Sequence, residues 1–187
     1  MLFDVYFFFL FIVNMPYLTH EQLLMFRRIA PADHELSARL RFDSNGSLSS
    51  VKFTRGDECT AHHCAVKPCE GGVCLHTHPR GNRVSSADFR VAIETALVKQ
   101  RTHSIVITPM GVFSYRPTSK LLREWKTYDR QRRDEITQSW KLVGQMLQDK
   151  TQAMQMDDFM RFSEEVGMHI EFVNWNDVAA GGELWLN

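Results

Sequence analysis

The chain has 187 residues, 44% of them apolar and 24% charged. That composition excludes a disordered or fibrous chain and leaves enough length to bury a full core. Lysine plus arginine and aspartate plus glutamate number 22 each, so the charge balance gives no sign of nucleic acid or an anionic membrane as a partner.

Residues 1–14, MLFDVYFFFLFIVN, carry an apolar run over 5–13 that falls short of the ~20 residues a membrane-spanning helix needs. They lack the basic start and small-residue cleavage site of a secretory signal. The segment reads as a hydrophobic N-terminal arm or a mis-assigned start, with Met15 as the natural one, in preference to a membrane anchor.

Thr19 and Gln22 have capping-box spacing, and Leu23, Leu24, Phe26 and Ile29 supply an apolar face, which predicts a helix over 19–30 closed by Pro31. Leu36, Ala38, Leu40 and Phe42 alternate with Ser37, Arg39 and Arg41, the pattern of a half-buried strand. Asn45-Gly46 turns the chain into a return strand over 47–54. Glu35 opens the first strand. Taken alone it is a solvated strand-end carboxylate.

Cys59, Cys64, Cys69 and Cys74 recur every five residues through a segment, 57–74, that interrupts the strands. Reduced thiols on a loop, a second and structural zinc held by four thiolates, and two disulfides all fit this spacing. Cys74 stands two residues before His76 and shares its face of the presumed strand.

His76-Thr77-His78-Pro79 comes next, then a short loop through Gly81 and Asn82, then Ser85-Ser86-Ala87-Asp88. The strand period of two places both imidazoles on one face. Two imidazoles and one carboxylate are three ligands that suit a catalytic zinc, whose fourth position is left to water. A solvated loop with two surface histidines requires neither the proline nor the spaced Ser-x-x-Asp.

From Asp88 the spacing of Phe89, Ala92, Ile93, Ala96 and Leu97 predicts a helix to about residue 100. Strands follow over 104–108 and 112–115, separated by Met110-Gly111 and ended by Pro117. Residues 118–150 read as one long helix with a stripe of Leu121, Trp125, Tyr128, Ile136, Trp140, Val143 and Leu147. The stripe packs against the domain or against a second copy, which would make 118–150 a dimer surface. The basic-rich run over 123–133 reads as that helix's solvated face. A short helix over 157–166, a strand over 168–175 and a last strand over 183–186 complete the chain.

The His76-Thr77-His78-Pro79 and Ser85-Ser86-Ala87-Asp88 pair resembles the JAMM motif of the MPN+ zinc metalloproteases, whose pattern also requires an upstream glutamate at the start of a strand. Glu35, followed by small Ala38 and an apolar strand, matches that position better than Glu21, which lies in the first helix. The resemblance covers about 17–117. It implies an α/β MPN fold of the cytidine-deaminase-like kind, a mixed sheet flanked by helices. Residues 15–117 would be the catalytic domain, 57–74 a Cys-rich insertion, and 118–187 a C-terminal helical and β extension.

It further implies Zn²⁺ held by His76, His78 and Asp88. Glu35 would be general base and then acid toward a zinc-held water, and Ser85 a donor to the developing oxyanion. The implied substrates are ubiquitin, ubiquitin-like proteins or peptides, cut at peptide or isopeptide bonds in the cytoplasm or nucleus. The route from Asp88 to Tyr115 is compact and lacks the second, zinc-bearing insertion of many deubiquitinating relatives, which argues against chain-type-selective cleavage. A different class is an MPN scaffold that pairs with another protein and is inactive alone; many such domains have lost the motif, and this chain keeps every position. A metal-binding module without hydrolysis would need neither Glu35 nor Ser85.

Overall fold

The computed structural model describes residues 15–30, 33–55, 73–79, 84–99, 103–146 and 152–186. The arm at 1–14 and Cys59, Cys64 and Cys69 of the insertion lie outside the described residues.

The described residues form an α/β protein around a mixed sheet. Its strands are β2 (Leu36–Phe42), β3 (Leu48–Arg55), β4 (Val73–Thr77), β5 (Ser104–Ile107), β6 (Gly111–Pro117) and β7 (Met168–Asn174), in the spatial order β3-β2-β4-β5-β6-β7. Only β4 and β5 run parallel. A parallel pair needs a crossover, and α2 (Ser86–Lys99) provides it. A separate ribbon pairs β1 (Tyr17–Leu18) with β8 (Leu184–Trp185), where Tyr17 stacks on Trp185 at 4.7 Å.

The period of two divides the core between the faces of the sheet. Ala38, Leu40, Val73, Leu75, Ile105, Ile107 and Val112 point to one side. There they meet Leu23 and Phe26 of α1 (His20–Ile29) and Trp175 and Val178 of α6 (Trp175–Ala179). Val106, Phe113, Tyr115 and Ile170 point to the other. They meet Phe89 and Ile93 of α2, Leu121 and Trp125 of α3 (Ser119–Thr127), Trp140 of α4 (Arg130–Met146) and Phe159 of α5 (Gln152–Glu165). Phe89 is fully buried, stacked on Trp140 at 4.5 Å and edge-on to Trp125 at 6.3 Å. Burying such a ring is worth about 1.5–3 kcal/mol, and it fixes the first turn of α2 to the sheet.

Several elements follow the sequence closely. Thr19 and Gln22 form the capping box of α1, with Gln22 N–H donating to Thr19 Oγ1 at 3.4 Å and Thr19 N–H to Gln22 Oε1 at 3.1 Å. The β2–β3 hairpin turns at Asp43, whose Oδ1 accepts from the amides of Asn45 and Ser47, with Gly46 at φ 78°.

Others depart from it. The helix expected over 118–150 is two, α3 and α4. Tyr128 leaves the helix at ψ 136°, and Asp129 Oδ1 accepts from Arg132 N–H at 2.8 Å to cap the second. Of the expected stripe, Leu121, Trp125 and Trp140 are buried within this chain. The strand expected to run to Trp175 stops at Asn174, whose side chain accepts from the amides of Asn176 and Asp177 and starts α6. The expected half-buried β2 is covered on both faces over 37–40, with Ser37 and Arg39 buried on the side it shares with His76 and only Arg41 exposed. Residues 168–174, expected in a C-terminal extension, pair with β6 along its whole length.

Candidate metal centre

The site is built where β4 leaves the sheet. β2 pairs with β4 so that Ser37 faces His76, which brings Glu35, just ahead of β2, level with His78. His78 lies one residue past β4, and its amide donates to Ile107 O at 2.8 Å, continuing the parallel ladder. The backbone is therefore fixed through both histidines, and their rings share one face. Their Nε2 atoms are 3.1 Å apart.

Asp88 arrives from the other side of the crossover. Ser85 caps α2, and its Oγ accepts from Asp88 N–H at 3.2 Å. In return Asp88 Oδ2 accepts from Ser85 N–H at 2.8 Å and from Ser85 Oγ–H at 2.6 Å. This is a reciprocal capping box with aspartate in the third helical position. It aims the carboxylate at the histidines: Asp88 Oδ1 lies 3.0 Å from His76 Nε2 and Oδ2 lies 3.3 Å from His78 Nε2.

These spacings can be tested against a metal. Zinc bonds nitrogen and oxygen at about 2.0–2.2 Å, and tetrahedral ligands at that radius stand roughly 3.3–3.6 Å from one another. The two Nε2 atoms are 3.1 Å apart, His76 Nε2 is 3.0 Å from Asp88 Oδ1 and His78 Nε2 is 3.3 Å from Asp88 Oδ2, so each histidine meets a different carboxylate oxygen, and one ligand atom from each residue falls within 4.8 Å of the others. The chemistry of the set agrees. Two neutral Nε2 lone pairs facing one another cannot satisfy each other. A proton on one ring or a cation between them does. Among the described residues, His76, His78 and Asp88 are the group able to hold a metal ion. The donor set is compatible with zinc and does not single it out.

In the ion-free protein the electrostatics follow from burial and the facing charges. Burial opposes a charged His76, but the Asp88 carboxylate, with Glu35 beyond it, outweighs burial and raises the imidazole above its ordinary 6.5. Burial also opposes a charged Asp88. The charge and hydrogen bond of His76, then His78 and Ser85, overcome it and hold the carboxyl far below its ordinary range.

Glu35 comes to the same place without joining the ligand set. Its Oε1 is 4.0 Å from His78 Nε2, too long for a direct hydrogen bond, and its side chain is mostly buried. Thr77 helps to hold it there. Thr77, between the two histidines, points to the opposite face of β4, and its Oγ1 accepts from Leu36 N–H at 2.9 Å, fixing the backbone next to Glu35. The period of two gives Thr77's direction and no sign of this task. Ser85 is brought to the site, but its hydroxyl proton is engaged by Asp88 and not directed to an open position.

Cys74 lies on the His76 face of β4, part-buried, opposite Arg39 of β2 and Ser104 of β5. The other three cysteines are outside the described residues, so the insertion's metal or disulfide state stays an expectation. Tyr115 is a residue that sequence reading treats only as strand. It is buried on the site's face of the sheet, paired across from Ser104 of β5. Burial first, then the Asp88 charge, push its phenol well above the ordinary 10.0, so it remains a neutral O–H.

No helix among the described residues is long and apolar enough to cross a membrane. No protein-family model matches the chain, and no curated protein matches it significantly.

Proposed function

We propose that the chain is a zinc-dependent peptidase or isopeptidase of the JAMM type, on an MPN-type sheet. One observation carries the reading. Glu35, His76, His78 and Asp88 come from three separate parts of the sequence and meet in one place, with three positions spaced as metal ligands and the fourth held back by 4.0 Å. A metal-binding module without hydrolysis has no use for a mostly buried carboxylate just outside the ligand set.

When bound, a zinc ion supplies Lewis acidity toward a substrate carbonyl and toward water. The chain's own residues do the rest. His76 and His78 bind through Nε2, and Asp88 completes the set, oriented by Ser85. Glu35 takes a proton from the attacking water and delivers it to the leaving nitrogen. The C–N bond breaks and a C–O bond forms, leaving a carboxylate and an amine. Neither a serine nor a cysteine nucleophile is required. Ser85 could donate to the substrate oxygen only by releasing Asp88, so orienting Asp88 is its first task. The substrates that fit this reading are peptides or the tails of ubiquitin and ubiquitin-like proteins, in the cytoplasm or nucleus.

The test is metal content and hydrolysis measured together on the full chain, unmutated and Glu35→Gln. The expected result is one zinc per chain at this centre in both, with cleavage of di-ubiquitin, a ubiquitin C-terminal amide probe or a peptide library only by the unmutated protein. Additional zinc lost on substituting Cys59 and Cys64 would belong to the insertion. A protein that takes up no zinc when zinc is supplied would overturn the reading.

A further inference from the structure

A pocket of about 250 Å³ on the α1 and α6 side of the sheet shares His78 with the candidate metal centre and is otherwise bounded by Thr77, Pro79, Ile107, Trp175 and Arg27. Its far wall comes from α1 and α6, which take no part in the ligand set. Trp175, at the start of α6, is buried, and its indole N–H donates to Thr108 O at 2.9 Å, which fixes the ring. Arg27, in the last turn of α1, lays its guanidinium over that ring, 4.7 Å from the centroid. Apart from the ligand His78, Arg27 is the one charged residue among the described residues around this pocket. Among the described residues no carboxylate pairs with it. Arg27, Pro109 and Trp175 also border an adjoining depression of about 600 Å³, so the guanidinium stands between the two.

We infer that this pocket receives a carboxylate-bearing residue of the substrate next to the scissile bond, with Arg27 as the group that recognises the carboxylate. This rests on the peptidase reading for what the neighbouring centre does, but not for the binding itself. The pocket is smaller than the roughly 300–1,000 Å³ of sites for drug-sized ligands, so it suits one residue and not a long segment. Its walls are largely apolar and end at a planar cation. A guanidinium stacked on an aromatic ring keeps its N–H edge available for a carboxylate, which it can bind in bidentate fashion. Stacking also removes much of the side-chain freedom that would otherwise be lost on binding. The carboxylate can be the substrate's own C-terminus or an aspartate or glutamate side chain. Both present the same two oxygens.

The experiment uses the full chain and acetylated dipeptides in matched pairs: a free C-terminal acid against its amide, and a glutamate against a glutamine with the terminus amidated in both. Binding is followed by calorimetry and by the indole N–H resonance of Trp175, in zinc-loaded Glu35→Gln protein and again after chelation of the metal. The expected result is roughly ten- to hundredfold tighter binding of the acid member of one pair, with or without metal. Which pair discriminates identifies the source of the carboxylate. Arg27→Gln should remove the preference and Arg27→Lys should keep part of it, because a point charge replaces the fork. Equal binding of acid and amide in both pairs would overturn the inference. So would a preference that persists in Arg27→Gln or vanishes with the metal, since the carboxylate would then be bound elsewhere. Discrimination through Arg27 without hydrolysis of any peptide would support the pocket and count against the peptidase reading.

Discussion

Ser85 and Asp88 hold each other at both ends. The serine hydroxyl and amide donate to Asp88 Oδ2 at 2.6 and 2.8 Å, and the Asp88 amide donates back to Ser85 Oγ at 3.2 Å. One Ser-x-x-Asp tetrad therefore starts the crossover helix and orients a candidate metal ligand. The helix N-terminus favours the carboxylate's charge at the same time.

Ser85→Ala should act on stability and metal together. Loss of the cap is expected to cost about 1 kcal/mol of stability in urea or thermal unfolding. Loss of the hydrogen bond to Asp88 should weaken zinc binding by roughly 10- to 100-fold in competition with a chromogenic chelator. Ser85→Thr should recover most of both. A variant with full zinc affinity and lost catalysis would instead assign Ser85 to the substrate oxygen.

Zinc should raise the unfolding temperature of the unmutated chain. At a free concentration one hundred times Kd the gain is about 2.7 kcal/mol. Asp88→Asn and His78→Ala should abolish that response in a thermal-shift series, whereas Glu35→Gln should keep it.

The pH dependence has opposite signs for the two buried partners. His76, raised in the ion-free fold, contributes stability that is fully present below its ordinary 6.5 and is lost as pH rises through its folded value. Asp88, lowered, contributes stability present above its ordinary 3.8 and lost as pH falls toward its folded value. The ion-free protein should thus be steadied by this pair between those two ranges. Metal competes with the proton on His76, so zinc affinity should fall as pH drops through the raised His76 value. Zinc titrations at a series of pH values with stability measured in parallel would check both signs. Affinity independent of pH across that window would contradict the assignment.

Thr77→Val keeps the shape of the strand and removes the oxygen that accepts from Leu36 N–H. The expected outcome is a stability loss of about 1–3 kcal/mol, unchanged zinc content and a fall in kcat with little change in KM. Thr77→Ser should restore kcat. Equal losses of zinc and activity would mean that the whole centre had shifted.

Trp140→Ala removes the ring stacked on Phe89, next to Asp88 in the chain. A loss of about 3–5 kcal/mol is expected in chemical unfolding. Trp140→Phe should lose less and retain zinc.

Much of this was legible from the residues, and the misses have separate physical causes. The capping box of α1, the hairpin at Asn45-Gly46 and the shared face of His76 and His78 are encoded over a few residues, where local rules act. The centre was legible because its ligands sit at a strand end and a helix start. The break between α3 and α4 was hidden because Tyr128 and Ile136 keep a helical interval across it, while the capping signal, Asp129, lies inside a charged run. The burial of Arg39 was illegible for another reason. Alternation reports which face is apolar, not whether the polar face is also covered. Glu35 was reached only through the family pattern: nothing near it in sequence shows that β2 will lie beside β4. Arg27 and Trp175 were illegible as a pair, since α1 and α6 meet only across the finished sheet.

Pairing of β7 along the full length of β6 also governs how the protein can be divided. A chain stopped after Pro117 would keep His76, His78, Asp88 and Glu35, yet Gly111–Pro117 would become an open rim of unpaired amides and carbonyls, with Phe113 and Tyr115 stripped of their neighbours Phe172 and Ile170. Such a rim recruits other strands, so the fragment that carries the candidate site is expected to form inclusion bodies more readily than the full chain.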